Sequence, residues 1–256
     1  MFGKIVKVRK TFKESSILFQ SDHEPAIKAA IEAVLRHRLE LERYILSNPA
    51  FLRELEPMDF EPYAPRIVQI MSSAAKAAGV GPMAAVAGAL ADIALEAMLT
   101  AKASVAIVED GGEIAASSQR PFTIGLYAGK TPLSKQVGFR ILPSDCPIGV
   151  ATSSASTGHA ISFGEADSAT VFAGTAALAD GAATAICNAV KGEDPERSIQ
   201  EGLKHAKNIP GIRGIMIVRG DYVGTFGSIP QLVKIGSEID LAKISMLDKV
   251  SLRTIV

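Results

Sequence analysis

Two short stretches of this chain set an aspartate among alanines and place a second oxygen-bearing side chain one helical turn away. Residues 89–97 read Ala-Leu-Ala-Asp-Ile-Ala-Leu-Glu-Ala, and residues 177–185 read Ala-Leu-Ala-Asp-Gly-Ala-Ala-Thr-Ala. Side chains four apart share one face of a helix, so Asp92 with Glu96, and Asp180 with Thr184, each present paired oxygens. A carboxylate on an alanine-rich, core-packed helix must be paired, capped or metal-bound, because burying it alone is costly. A carboxylate beside a hydroxyl suits a hard cation such as Mg²⁺, which shares its shell with water and substrate phosphates. Helix capping by Asp180 near its own N-terminus is the competing explanation. Both segments follow an Ala-Gly pair (Ala87-Gly88 and Ala173-Gly174), and position 92 maps to 180 as 96 maps to 184. The aspartate held in register marks an internal duplication, against the chance similarity of two alanine-rich helices.

Other segments carry weaker chemistry. Gly125-Leu-Tyr-Ala-Gly-Lys-Thr131 has three residues between its glycines where a phosphate loop has four, and Pro132 follows at once, so it is rejected as one. Gly111-Gly112 marks a hairpin turn. The hydroxyl-rich run from Thr152 to His159 is either a phosphate-holding loop or a solvated linker. His37 and His205 read as surface residues of amphipathic helices, and Cys187 as core.

The elements that must position these residues follow from periodicity. Strands are expected at Lys4–Phe12 and Ser16–Phe19, then a long helix opened by Pro25 with Asp22 as its cap and closed by Pro49. Helices follow at 66–78, ending at Gly79, and from Pro82 to about Leu99. Strands then flank Asp110-Gly111-Gly112 and recur near residues 122–127, 136–142, 148–151 and 169–172. Helices at about 175–190 and after Asp194 precede strands at 212–218, 222–226 and 232–235. Without regular βαβ alternation this pattern is α+β with antiparallel sheets. The expected organisation is one domain of two pseudo-repeated halves, roughly 1–100 and 101–236, with a C-terminal tail at 237–256.

Composition narrows the function classes. With 48% hydrophobic and 21% charged residues the 256-residue chain can bury a sizeable core. Lys+Arg and Asp+Glu are equal at 27, so the basic excess of a nucleic-acid binder is missing. The lysines and arginines between Lys4 and Lys13 read as the solvated face of a strand pair. No apolar signal segment opens the chain, and two cysteines outside any CxxC make no disulfide framework, so a cytoplasmic protein is expected. Val80–Ala101 is apolar, yet Asp92 and Glu96 near its middle favour a buried soluble helix over a membrane span.

The order of motifs, Gly88 to Asp92, Gly111-Gly112-Glu113-Ile114, Val150-Ala151-Thr152-Ser153 and Ala179-Asp180-Gly181-Ala182-Ala183-Thr184-Ala185, resembles the ApbE-like superfamily, whose best-known members are FAD:protein FMN transferases. The likeness runs from about residue 82 to 190 and is closest in style to a short uncharacterised branch. It implies duplicated antiparallel sheet-and-helix units of the T-fold type. It also implies that Asp180 and Thr184 hold Mg²⁺ or another divalent cation against the pyrophosphate of FAD, while an acceptor threonine attacks and AMP leaves. Asp92, Gly111, Gly112, Thr152 and Ser153 would belong to the flavin-nucleotide site. Implied partners are a nucleotide-like small molecule and a protein acceptor; neither nucleic acid nor membrane is expected, and a homo-oligomer is an open alternative. The chain departs from the transferases in having Ala87 for a lysine, Ser153-Ser154 for Ser-Gly, and no His-Ile-x-Pro-x-Thr-Gly stretch, of which His159 would be a remnant. The expectation is a metal-dependent enzyme acting on a flavin or nucleotide pyrophosphate, with a non-catalytic flavin or small-molecule binder and a purely structural oligomer as the alternatives.

Overall fold

A computed structural model describes residues 3–13, 15–155 and 164–235, and the backbone of 253–255. The expected α+β architecture is what it shows. Strands β1 (Val6–Phe12) and β2 (Ser15–Ser21) form a hairpin, and helices α1 (Glu24–Ser47), α2 (Arg66–Ala78) and α3 (Val86–Thr100) follow. Then come β3 (Val105–Asp110), β4 (Glu113–Ser118), β5 (Phe122–Gly125), β6 (Val137–Ile141), β7 (Ile148–Ser153) and β8 (Ser168–Ala173). Helices α4 (Ala176–Ala189) and α5 (Pro195–Ala206) precede β9 (Ile212–Arg219), β10 (Tyr222–Gly227), β11 (Gln231–Lys234) and β12 (Arg253–Ile255).

A nine-stranded sheet runs β1-β2-β3-β4-β7-β8-β9-β10-β12, and a three-stranded sheet runs β11-β6-β5. Two strands, a helical segment and two strands occur first over β1–β4 and again over β7–β10, each set in sequential antiparallel order. The tail assigned to 237–256 lies outside the described residues except for β12, which pairs in parallel with β10.

Alternation along the strands builds a three-layer protein. Ala106, Val108 and Ala115 face the helices α1–α3, and Ala151, Ala169, Val171 and Ala173 face α4 and α5. The opposite face carries Ile107, Ala116, Ile148, Val150, Phe172 and Met216, which pack under the small sheet. Phe139 of β6 meets Phe172 of β8 edge-on with ring centroids 4.8 Å apart. Such a pair adds about 0.5–1.5 kcal/mol beyond its buried area and pins one sheet to the other.

Local signals explain most boundaries. Gly79 ends α2 in the left-handed region at φ 72°, its N–H donating to the Ala75 carbonyl. Asp194 caps α5 by accepting from the amides of Glu196 and Arg197. Asp22 does not cap α1, whose N-cap is His23. Instead Asp22 Oδ1 accepts from Ser104 N at 3.1 Å and Val105 N at 2.9 Å, tying the start of β3 to the end of β2. His37 also departs from expectation: it is only 8% exposed, and its Nδ1 lies 2.7 Å from Glu40. The segment from Pro82 begins as a 3-10 turn before α3, and Pro82–Thr100 is long and apolar enough to cross a membrane by length and composition. Here it packs between α1 and the sheet, with both its carboxylates bonded to protein.

Candidate functional site

The two aspartates of the repeated motif lie at the meeting point of α3 and α4. Asp92 Oδ1 accepts from Ala176 N at 2.8 Å and Asp92 Oδ2 from Ala177 N at 2.9 Å. In return Asp180 Oδ2 accepts from Gly88 N at 2.9 Å. Each aspartate therefore caps the first turn of the other's helix, satisfying amides that no intrahelical carbonyl reaches. Thr175 caps α4 from its own side chain, so capping of its own helix by Asp180 is not what the structure shows. The helix starts touch closely: a Cβ on Gly88 would sit 2.3 Å from the Ala176 carbonyl oxygen, and one on Gly149 2.0 Å from the Thr175 carbonyl carbon. Glycine at both positions lets α4 settle on β7 and against α3. The matched segments meet face to face, yet α3 closes the helical segment of the first unit while α4 opens that of the second.

Asp180 faces more than a helix end. The hairpin β3–β4 turns at Gly111 (φ 71°) and Gly112 (φ 125°), a backbone that only glycine adopts freely. Asp110 and Glu113 pair across that hairpin on the helix side, and their charges bear on Asp180. Desolvation first, then the charges of Asp110 and Asp92, lift Asp180 to a pKa of about 7 against the pull of the Gly88 amide. Burial and the neighbouring Asp180 charge push Glu113 well above the usual carboxylate range. Asp92 rises to about 6 from desolvation, opposed by its two amide bonds. Like charges held together out of water take up protons or a cation.

The other side of the same turn lines a cleft of about 560 Å³ between the main and small sheets. Gly111, Gly112 and Thr152 of the expected set border it, with Ile114, Phe122 and Tyr127 supplying apolar walls. Lys7 and Gln20 stand at one side. Alternation along β7 sends Thr152 into the cleft, where its hydroxyl lies 2.9 Å from Thr170 Oγ1, and turns Ser153 toward the helix layer. Ser154, one residue on, borders the cleft in its place.

Thr184 and Asp92 fall elsewhere. Thr184, one turn beyond Asp180, borders a groove of about 590 Å³ with Gly81, Met83, Ala84 and His205. Asp92 borders a different groove, between α2 and α3. Residues 156–163, including His159, lie outside the described residues.

Among the described residues no group of three His, Cys, Asp or Glu side chains is placed to hold a metal by itself. A cation at Asp180 would therefore draw on one or two carboxylates, a hydroxyl, backbone oxygens, water and the ligand's own phosphates. That donor set is all hard oxygen, as Mg²⁺ prefers. Asp110 and Glu113 are the members sequence reasoning missed. Their signal was present in the acidic residues flanking a Gly-Gly turn, but the partner across the layer was not.

A family model described as AbpE bacteria matches residues 5–207. A UPF0280 protein of Methanocaldococcus jannaschii is 46% identical over 240 residues, covering 93% of this chain and 97% of the relative. One from Methanopyrus kandleri is 40% identical over 241 residues, with the same coverage of 93% and 97%. The flavin transferase ApbE from Vibrio cholerae superposes with a TM-score of 0.57 at 12% identity, over 90% of this chain and 97% of that one. The apbe protein of Thermotoga maritima does so with a TM-score of 0.52 at 13% identity, over 90% and 97%. At such identities the likeness is one of fold.

Proposed function

The chain belongs to the AbpE bacteria family and groups with the UPF0280 proteins, and from that premise we propose that it is a divalent-metal-dependent enzyme acting on a flavin or nucleotide pyrophosphate, in the manner of an FMN transferase. One observation carries this reading: a single turn, Asp110-Gly111-Gly112-Glu113, gives its glycines to the cleft and its carboxylates to the Asp180 corner. A pyrophosphate seated over that turn would bring its charge next to a cation held at Asp180, with Thr184 on the following turn of α4. Mg²⁺ there would supply charge neutralisation and polarisation of the phosphoryl group.

The chain's own residues have separable tasks. The Gly-Gly turn lets a phosphate approach the backbone without a side chain in the way. Phe122 and Tyr127 supply apolar wall for a flat ring, and Thr152 offers a hydroxyl. Lys7 places a positive charge at the cleft that the missing lysine at position 87 does not. The Asp92 bonds to Ala176 and Ala177 hold the first turn of α4, and with it the direction of Asp180. A protein acceptor is the partner this reading implies.

Titration with FAD in the presence and absence of Mg²⁺, followed by nucleotide analysis, tests it. Metal-dependent binding with release of AMP is the expected result. Binding at every metal concentration without turnover would support the second reading, a flavin or small-molecule binder. That reading is favoured by Ala87 and by the lack of the His-Ile-x-Pro-x-Thr-Gly stretch. No binding in either condition sinks both.

A further inference from the structure

Asp92 and Glu96 are the second same-face pair of the sequence; Glu96 has no part in the reaction above, and Asp92 serves it only through its two amide bonds to α4. Both border a groove of about 780 Å³ between α2 and α3, on the helix side of the sheet and away from the flavin-sized cleft. The volume is that of a small-molecule site, 300–1,000 Å³ being usual. Its walls are mostly apolar, with Phe60, Ile70, Leu95, Leu99 and Leu178 among them. Arg66 and Glu96 bridge α2 to α3 at 2.6 Å. Among the charged side chains bordering the groove there are two carboxylates and one guanidinium, which leaves one negative charge over. The carboxylate not met by Arg66 is Asp92, half-buried beside Thr175 and Ala177. Each Asp92 oxygen accepts one backbone amide and has a lone pair left for another donor.

From this charge balance on an apolar surface we infer that the groove is a second binding site, for a small amphipathic amine whose ammonium group meets Asp92 and whose hydrocarbon lies against α2 and α3. An anionic ligand finds no free cation there among the described residues, since Arg66 is held by Glu96. A neutral apolar ligand leaves the Asp92 carboxylate facing hydrocarbon, which is costly.

The test is calorimetric titration with n-octylammonium, n-octanol and octanoate at pH 8 and low ionic strength, where the groove charge is least screened. n-Octylammonium is expected to bind at least tenfold more tightly than either of the others. Variants that alter only the bordering charge must then rank the affinity. Arg66→Gln is expected to tighten n-octylammonium binding about threefold, and Glu96→Gln to weaken it by a similar factor, each being a partly exposed surface ion pair. Ser73→Trp, an exposed α2 position bordering the groove, is expected to weaken it at least tenfold by filling the space. Equal affinity for n-octanol, an unchanged ranking in the charge variants, undiminished binding in Ser73→Trp, or no n-octylammonium binding would each overturn the assignment. None of these readouts uses FAD or a metal, so this site and the flavin reading fail independently.

Discussion

Helices α3 and α4 carry nearly the same motif, and the protein uses the two copies differently. Both aspartates cap the opposite helix, and both are raised out of the ordinary carboxylate range by desolvation. Asp92 accepts two amides and looks out on a groove already crossed by an arginine. Asp180 accepts one amide and looks toward two further carboxylates from a hairpin. The lesson is that a repeated motif specifies which helix ends meet, while the neighbours decide how much carboxylate charge gathers around each copy.

The largest effect expected is on the contact that brings the helices together. Gly88→Val should cost well over 4 kcal/mol, because its Cβ falls within 2.3 Å of the Ala176 carbonyl oxygen and backbone cannot yield as a side chain would. Little soluble folded protein should be recovered, and a near wild-type melting temperature would show that the helix starts are not tightly apposed.

Next is the division of roles between the aspartates. Asp180→Ala should weaken Mg²⁺-dependent FAD binding on the order of 100-fold in a protein that still shows native circular dichroism, each 1.4 kcal/mol lost being tenfold. If metal and nucleotide binding survive intact, the metal corner lies elsewhere. Asp92→Ala leaves two amides without their acceptor, costing about 2–4 kcal/mol. That corresponds to a fall in Tm of roughly 5–12 °C. A Tm loss equal to or smaller than that of Asp180→Asn would break the contrast drawn between them.

The last contrast concerns pH. Asp180 titrates near 7 and Asp92 near 6 when folded, against 3.8 as the ordinary value. Between about 4 and 7 the folded chain retains protons the unfolded chain has already released, so this contribution to stability is full below about 4 and is lost as pH rises through 7. The metal-free Tm should therefore drop from pH 5 to pH 8. The drop should be shallower in Asp180→Asn, and Mg²⁺ should raise Tm more at pH 8 than at pH 5. A profile that is flat in the wild type, or identical in the variant, would show that Asp180 is not held protonated.

Several pieces were open to reading from the chain alone. Gly79 and Asp194 announce a helix end and a helix start through backbone chemistry that is complete within a few residues. The Asp110-Gly111-Gly112 turn is equally local. Asp22 misled for the same reason: it stands where a cap belongs, but Ser104 and Val105, where β3 begins, offer its carboxylate three donors from 82 and 83 residues away. The neighbours Thr152 and Ser153 belong to one motif in the sequence, and the two-residue period of a strand parts them, sending one to the cleft and one to the helices.

By itself the sequence determined the elements, the placing of Asp92 and Glu96, and of Asp180 and Thr184, on successive turns of one helix, and the resemblance to ApbE-like proteins, because these depend on spacing within a segment. Only the tertiary structure decided that Asp92 and Asp180 cap each other's helices, that the charges of Asp110 and Asp180 and of Asp180 and Glu113 bear on one another, and that Thr184 faces a separate groove. Those outcomes depend on which surfaces pack together, and the cost or benefit of a charge is set by everything within a few ångströms of it, wherever in the chain that neighbour lies.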